Sequence, residues 1–355
     1  MAAATRKLKP LAEQVIVITG ATSGIGLTAA RMAAEAGATL VLAARHAGAL
    51  ETLADELRDC GAQALAVPAD VGYREQIAQL GQAAIDRYGR IDTWINNAGV
   101  SIFGRLDQVA EDDRQRLFQT NFWGVVYGSL EAVRRLRENP QGGALINIGS
   151  EMSDCALPLQ GMYAASKHAV KGFTDALRIE VERDGLPIAV TLVKPAAIDT
   201  MFTAHARSYL SHEPRLPPPM YAPEVVAGAI LHAAQHPQRD VYVGAASRLF
   251  SLANFHMPRL LDRYLRATMF AQQHSERPAG PERSDALHAP RELDSDITLR
   301  QRAPVQPNHV HERSPYTSMA LRIGPVGSAM LLGGALLAAY KLVGRRAVRR
   351  HGART

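Results

Sequence analysis

The first apolar run of the chain is Val15-Ile16-Val17-Ile18-Thr19, and it passes without a break into Gly20-Ala21-Thr22-Ser23-Gly24-Ile25-Gly26. Five residues rich in β-branched side chains read as a buried strand, and a helical pattern then runs through Ala36. The glycines fall between the two. Glycine permits a tight turn there and lets the backbone come close to a ligand. The helix that follows offers free N–H donors and the positive end of its dipole, which suits a pyrophosphate. Three glycines alone are ordinary turn residues; their place between a strand and a helix gives them weight.

The same alternation continues outward from this unit. Thr39–Ala43, Ala64–Pro68, Ile91–Asn96, Ala144–Ile148, Ile188–Val193 and Asp240–Val243 are short apolar runs. Helical patterns near Leu50–Cys60, Glu75–Tyr88, Glu111–Arg137 and Tyr163–Arg183 separate them. Strands that are apolar throughout and separated by helices predict a parallel sheet covered on both faces. The expected fold class is therefore α/β, a doubly wound parallel sheet (Rossmann fold), in one catalytic domain over 10–250 with a C-terminal extension. In that extension, 251–270 has amphipathic helical spacing. The stretch 271–318, rich in Pro, Arg, His, Ser and Asp without apolar periodicity, reads as a flexible linker. An apolar helix over 319–344 and a basic tail over 345–355 complete the expectation.

With 355 residues, 47% apolar and 21% charged, the chain can bury a sizeable core. The net charge of +6 is concentrated between Lys341 and Arg354, a local feature and not a nucleic-acid surface. Two cysteines, Cys60 and Cys155, exclude a disulfide framework and fit a reducing compartment. The apolar run Val15–Ile18 is too short for a signal peptide, so the catalytic domain is expected in the cytoplasm.

The second run ends Leu42-Ala43-Ala44-Arg45-His46, with no carboxylate to bind ribose hydroxyls. Arg45 can pair with a 2′-phosphate through its planar fork, so NADP(H) is expected over NAD(H). Asp70 suits the adenine amino group, or a helix N-cap. In Tyr163-Ala164-Ala165-Ser166-Lys167 the phenol and the ammonium share a helix face. An ammonium beside a phenol favours phenolate, which makes tyrosine a general acid or base for carbonyl–alcohol interconversion. Ser150 ends a strand thirteen positions upstream, where it can hold the substrate oxygen, and Asn121 stands in a largely apolar helical stretch.

Together these residues make the chain resemble the short-chain dehydrogenase/reductases over about 10–245. The Thr-Gly-x-x-x-Gly-x-Gly motif of that family falls on Thr19, Gly20, Gly24 and Gly26, and its Asn-Asn-Ala-Gly motif on Asn96–Gly99. Its catalytic tetrad falls on Asn121, Ser150, Tyr163 and Lys167. The resemblance implies that Lys167 binds the nicotinamide ribose and lowers the tyrosine pKa, and that Asn121 holds a water in a proton relay. It places Thr19, Gly20, Ser23, Gly24, Ile25, Gly26, Arg45, Asp70, Val71, Asn97, Ala98, Gly99, Tyr163 and Lys167 against the cofactor. Pro195, Ile198 and Thr200 join them, although Pro195 is followed by Ala196 and Ala197 where the family usually has Pro-Gly. It also implies a homodimer or tetramer.

The loop from Ala196 to about Tyr221 is expected over the substrate, and Met201, Phe202, Tyr209 and Leu210 on it suit a lipophilic carbonyl or alcohol. Equally, those side chains can simply pack the loop. His205 and Arg207 read as solvated rather than as an anion site. His309 and His311 are too few for a metal site, so no metal is expected. Ile323–Tyr340 carries no charge and is flanked by Arg322, Lys341, Arg345 and Arg346, which predicts contact with a membrane through 323–340. Two other classes compete with a reductase. A redox-sensing regulator need not keep Ser150, Tyr163 and Lys167 together, and a sugar-nucleotide epimerase would carry a larger second domain.

Overall fold

The computed structural model describes residues 8–280, 283–290, 299–303 and 309–323. Its centre is a seven-stranded parallel sheet. The strands are β1 (Val15–Thr19), β2 (Thr39–Ala44), β3 (Ala64–Pro68), β4 (Thr93–Asn96), β5 (Gly143–Ile148), β6 (Ile188–Pro195) and β7 (Asp240–Val243). They lie in the order β7-β6-β5-β4-β1-β2-β3. Each strand fell within two residues of its expected place, because a strand buried on both faces is an unbroken apolar run.

The pleat of β1 shows how the layers form. Ile16 and Ile18 join the core cluster that contains Leu27, Ala30 and Ala33 of helix α1 (Gly24–Glu35) and Leu50 and Leu53 of α2 (Ala47–Asp59). Val15 and Val17, on the alternate face, join Ile77 and Leu80 of α3 (Arg74–Tyr88). On that second face also lie α5 (Gly124–Glu138) and α6 (Gly161–Arg183), through Leu136 and Leu177. Helix α7 (Pro223–Ala233) packs beside α1 through Val226 and Ile230. The chain leaves β1 toward β2 on one side and meets β4 on the other. That reversal opens a crevice beyond the carboxyl ends of β1 and β4, where this architecture receives ligands.

The pattern expected as one helix over Glu111–Arg137 is interrupted. It comprises α4 (Glu111–Phe118), a π-helical turn Gln119–Trp123, and α5. The amphipathic stretch beyond the sheet is two helices, α8 (Ala245–His256) and α9 (Pro258–Gln272).

The flexible linker expected over 271–318 differs in its described parts. His274–Pro278 pairs antiparallel with His212–Pro214, and Val310–His311 pairs in parallel with Met220–Tyr221. Arg302 bridges Glu224 and Glu312. These pieces are held by backbone pairing and charge, neither of which leaves an apolar period in the sequence. Of the apolar run 323–340 expected to meet a membrane, all but Ile323 lies outside the described residues. Among the described residues no helix is long and apolar enough to cross a membrane.

Candidate active site

Gly20 and Gly24 adopt φ of +68° and +51°, a region that side-chain-bearing residues rarely enter. A Cβ on Gly26 would stand 2.1 Å from the Gly20 carbonyl oxygen. The third glycine thus lets α1 close against its own loop, and it does not line the groove. Thr19 is likewise a brace. Its hydroxyl donates to Ile95 O at 3.3 Å and accepts the N–H groups of Asn97 and Ala98. The Asn97 side chain donates to Thr19 O and Gly20 O, tying the end of β4 to the glycine loop. Ser23, at the N-cap of α1, makes no capping hydrogen bond with its side chain.

An open groove runs over this loop. Gly20, Ser23, Gly24 and Ile25 line one wall, and Arg45, Asp70 and Val71 one end. Asn97, Ala98, Gly99 and Thr200 line the other side. Thr200 faces Gly24 closely, since a Cβ on that glycine would lie 3.1 Å from the threonine Cβ. Ala196 is accommodated in place of the usual glycine because its φ is not positive, and Ala197–Ile198 then forms a short strand beside Met220–Tyr221.

The groove continues, past Ile25, Asn97 and Gly99, into a cavity lined by Ser150, Tyr163, Lys167, Pro195 and Ile198. Ser150 caps a short 3₁₀ turn, Glu151–Ser153, and its hydroxyl accepts the Met152 N–H at 3.1 Å. Tyr163 and Lys167 share a face of α6. The lysine ammonium lies 5.7 Å from the tyrosine ring centre and donates to Ile148 O at 2.8 Å. Burial alone lowers its pKa to about 8. Burial also raises the Tyr163 phenol above its ordinary value; a hydrogen bond with Ser150 opposes the rise and the nearby Glu151 adds to it. Burial therefore dominates this phenol and holds it protonated.

Asn121 sits in the π-turn and is fully buried. Its amide closes a ring with one backbone unit, accepting the Val100 N–H at 2.8 Å and donating to Val100 O at 2.9 Å, and it also reaches the Ser166 hydroxyl at 3.1 Å. It does not line the cavity. π-turns inside helices are frequent at functional sites.

Three features were not read from the sequence. Glu151 lines the cavity beside Ser150, and burial raises its pKa to about 8. A buried acid next to the serine has no local signature. Phe202, expected on the loop over the substrate, packs edge-on against Tyr163 with ring centres 5.3 Å apart, and that contact with the phenol ring is what the sequence did not show. The third is a strap over 283–290 whose Ala286 and Pro290 edge the groove. Arg45 lines the groove as expected, yet its guanidinium donates to the backbone carbonyls of Ala286, Leu287 and His288.

Of the loop residues, Met201 is buried, and Tyr209 donates to Asp113 at 2.7 Å. Arg207 is not simply solvated, since it pairs with Asp113 and Asp285. Burial raises the Cys155 thiol well above its ordinary pKa. Among the described residues no cluster of His, Cys, Asp or Glu could hold a metal.

Comparison with known proteins agrees with this geometry. Residues 14–210 match the family model for short chain dehydrogenase. The Bacillus subtilis uncharacterized oxidoreductase YxnA is 44% identical over 329 residues, covering 92% of this chain and 90% of that protein. The Sesamum indicum 11-beta-hydroxysteroid dehydrogenase A is 37% identical over 195 residues, 54% of this chain and 55% of its own length. A Burkholderia phymatum short chain dehydrogenase/reductase, solved with NAD, aligns with a TM-score of 0.61 at 25% identity, over 77% of this chain and all of that one. A Burkholderia cenocepacia short chain dehydrogenase, solved with NADP, gives 0.61 at 25% identity over 72% of this chain and 99% of that one. With its sheet order, its glycine loop and this match, the chain belongs to the short-chain dehydrogenase/reductase family of oxidoreductases.

Proposed function

We infer that this protein is an NADP(H)-dependent carbonyl reductase or alcohol dehydrogenase. The observation that supports the reading most is the meeting of Ser150, Tyr163 and Lys167 in a cavity continuous with the glycine-loop groove. The residues present fit a nicotinamide dinucleotide. A glycine cradle stands under the groove, the end of β2 reads Ala44-Arg45-His46 without a carboxylate, and Asp70 stands beyond β3. Arg45 would hold the 2′-phosphate, and Asp70 and Val71 the adenine end. Asn97, Ala98, Gly99, Pro195, Ile198 and Thr200 would hold the nicotinamide half. When bound, the nicotinamide supplies or accepts the hydride.

The chain's own groups manage the proton. Tyr163 Oη donates to the carbonyl oxygen in reduction and accepts from the hydroxyl in oxidation. Ser150 Oγ, held by its 3₁₀ turn, positions that same oxygen. Burial keeps the phenol protonated, which suits the reductive direction. Lys167, protonated at neutral pH, offsets negative charge developing on the phenol, and Asn121 holds the backbone of Val100 on the segment after β4. Met152, Ile198, Phe202 and Leu216 give the cavity an apolar wall, in keeping with a lipophilic carbonyl or alcohol. Exposed Trp123 in the π-turn, Leu130 on α5 and Ile179 on α6 favour a homodimer or tetramer.

A screen of carbonyls with NADPH and of alcohols with NADP tests the reading. Tyr163→Phe should lower kcat by roughly 10²–10⁴-fold, the usual worth of a positioned proton donor. Turnover that survives the substitution would sink the mechanism.

A further inference from the structure

Arg45 has a neighbour of the same charge. It donates to Leu287 O at 3.2 Å, and Arg116 of α4 donates through Nε to the same oxygen at 3.1 Å. The remaining Arg45 hydrogen bonds go to Ala286 O and, at 3.4 Å, to His288 O. Arg116 is also paired with Asp70. Arg45 has no carboxylate at ion-pair distance among the described residues; Asp285 of the strap is turned to Arg207 at 3.0 Å. Two guanidinium groups therefore converge on a neutral carbonyl. A phosphate offers both of them charged acceptor oxygens and satisfies that convergence better.

The C-terminal segment repeats this at the glycine loop. The N–H of Gly24, in the glycine loop, donates to Arg300 O at 3.0 Å. Main-chain carbonyls from beyond residue 280 thus stand against cationic or N–H donors at both places along the groove.

We propose that Arg45 and Arg116 form one phosphate-binding site, filled in the cofactor-free protein by the carbonyls of Ala286–His288 and taken over by the 2′-phosphate of NADP(H). The proposal rests on the NADP(H) reading above and adds Arg116 and the strap to it. NAD(H), without that phosphate, leaves the strap in place, so the strap sharpens discrimination between the two cofactors. The strap can yield because polar bonds hold its edges. Arg283 donates to Thr203 O, the Ala286 N–H to His205 O, and His288 meets Asp113 at 2.7 Å. Leu287 alone is fully buried.

Calorimetry on the full chain with NADP, NAD and 2′,5′-ADP tests the site, and hydrogen exchange at 283–290 tests the strap. Arg116→Ala should weaken NADP and 2′,5′-ADP by on the order of 10–100-fold and leave NAD little changed, with Arg116→Lys recovering part of the loss. NADP, and not NAD, should speed exchange at the strap amides. If Arg116→Ala weakens NAD as much as NADP, the arginine acts only through Asp70 and the proposal fails. Strap exchange that NADP slows or leaves unchanged at saturation also overturns it. Arg45→Ala separates the two levels. Loss of NADP preference in Arg45→Ala but not in Arg116→Ala defeats only this site. Preference unchanged in both defeats the NADP(H) reading itself.

Discussion

Tyr163 and Lys167 show how far single residues could be read. Their spacing alone is a coincidence that any helix can produce, and Ser150 upstream made it meaningful. What spacing could not reveal is the environment. Burial, and not the neighbouring ammonium, dominates the phenol, because Lys167 lies over the ring and spends a hydrogen bond on Ile148 O. Glu151 was invisible for the same reason: only the folded cavity makes it a buried acid. Its folded pKa of about 8 lies above the ordinary glutamate value of 4.5. From pH 4.5 to 8 the unfolded chain releases this proton while the folded chain keeps it, so stability falls as pH rises, by ~1.4 kcal/mol per unit in the steepest part. Lys167 works in the opposite sense, and only above pH 8, where the folded state loses a proton that the unfolded chain holds to 10.5. Glu151→Gln should therefore raise Tm at pH 8 more than at pH 5 and flatten the curve between them. Equal Tm shifts at pH 5 and pH 8 would show that the carboxyl is not held neutral.

At the level of elements, strands were legible because the two-sided sheet turns each into an apolar run with sharp ends. The helix expected over Glu111–Arg137 was less so. The π-turn Gln119–Trp123 inserts an extra residue per turn without any glycine or proline to mark it. Its reason is tertiary: it delivers Asn121 onto the backbone of Val100, where one amide pairs both an N–H and a C=O. The element thereby pins the segment after β4, which lines the groove through Gly99 and Val100. Asn121→Ala leaves both backbone groups buried without partners, at ~1–3 kcal/mol each. A fall in Tm of several degrees should appear even without cofactor. Asn121→Asp should fall between, since it keeps the acceptor for Val100 N–H and loses the donor. A Tm unchanged in Asn121→Ala would assign the residue to catalysis alone and remove its bracing role.

For the whole molecule, the sheet and its groove came from the first 245 residues, whereas the cover over the groove comes from the C-terminal quarter. That cover has almost no apolar signal. A single side chain, Leu287, enters the cluster formed by Val100, Leu117, Leu261 and Met269, and so joins the β4 loop, α4 and α9. Leu287→Ala removes buried methyl groups at ~2–5 kcal/mol if the strap unfolds together with the rest. Tm without cofactor should then fall by several degrees. The same change lowers the cost of lifting the strap, and the two effects are linked. Whatever stability the strap gives the cofactor-free protein opposes NADP binding by the same amount, because only the cofactor-free form holds Arg45 and Arg116 against carbonyls. Leu287→Ala should thus widen the Tm increase brought by saturating NADP while leaving that brought by NAD alone. Thermal unfolding of both proteins with each cofactor measures the difference. Equal widening for NADP and NAD would mean that the strap covers the dinucleotide as a whole, with no selective hold on the 2′-phosphate.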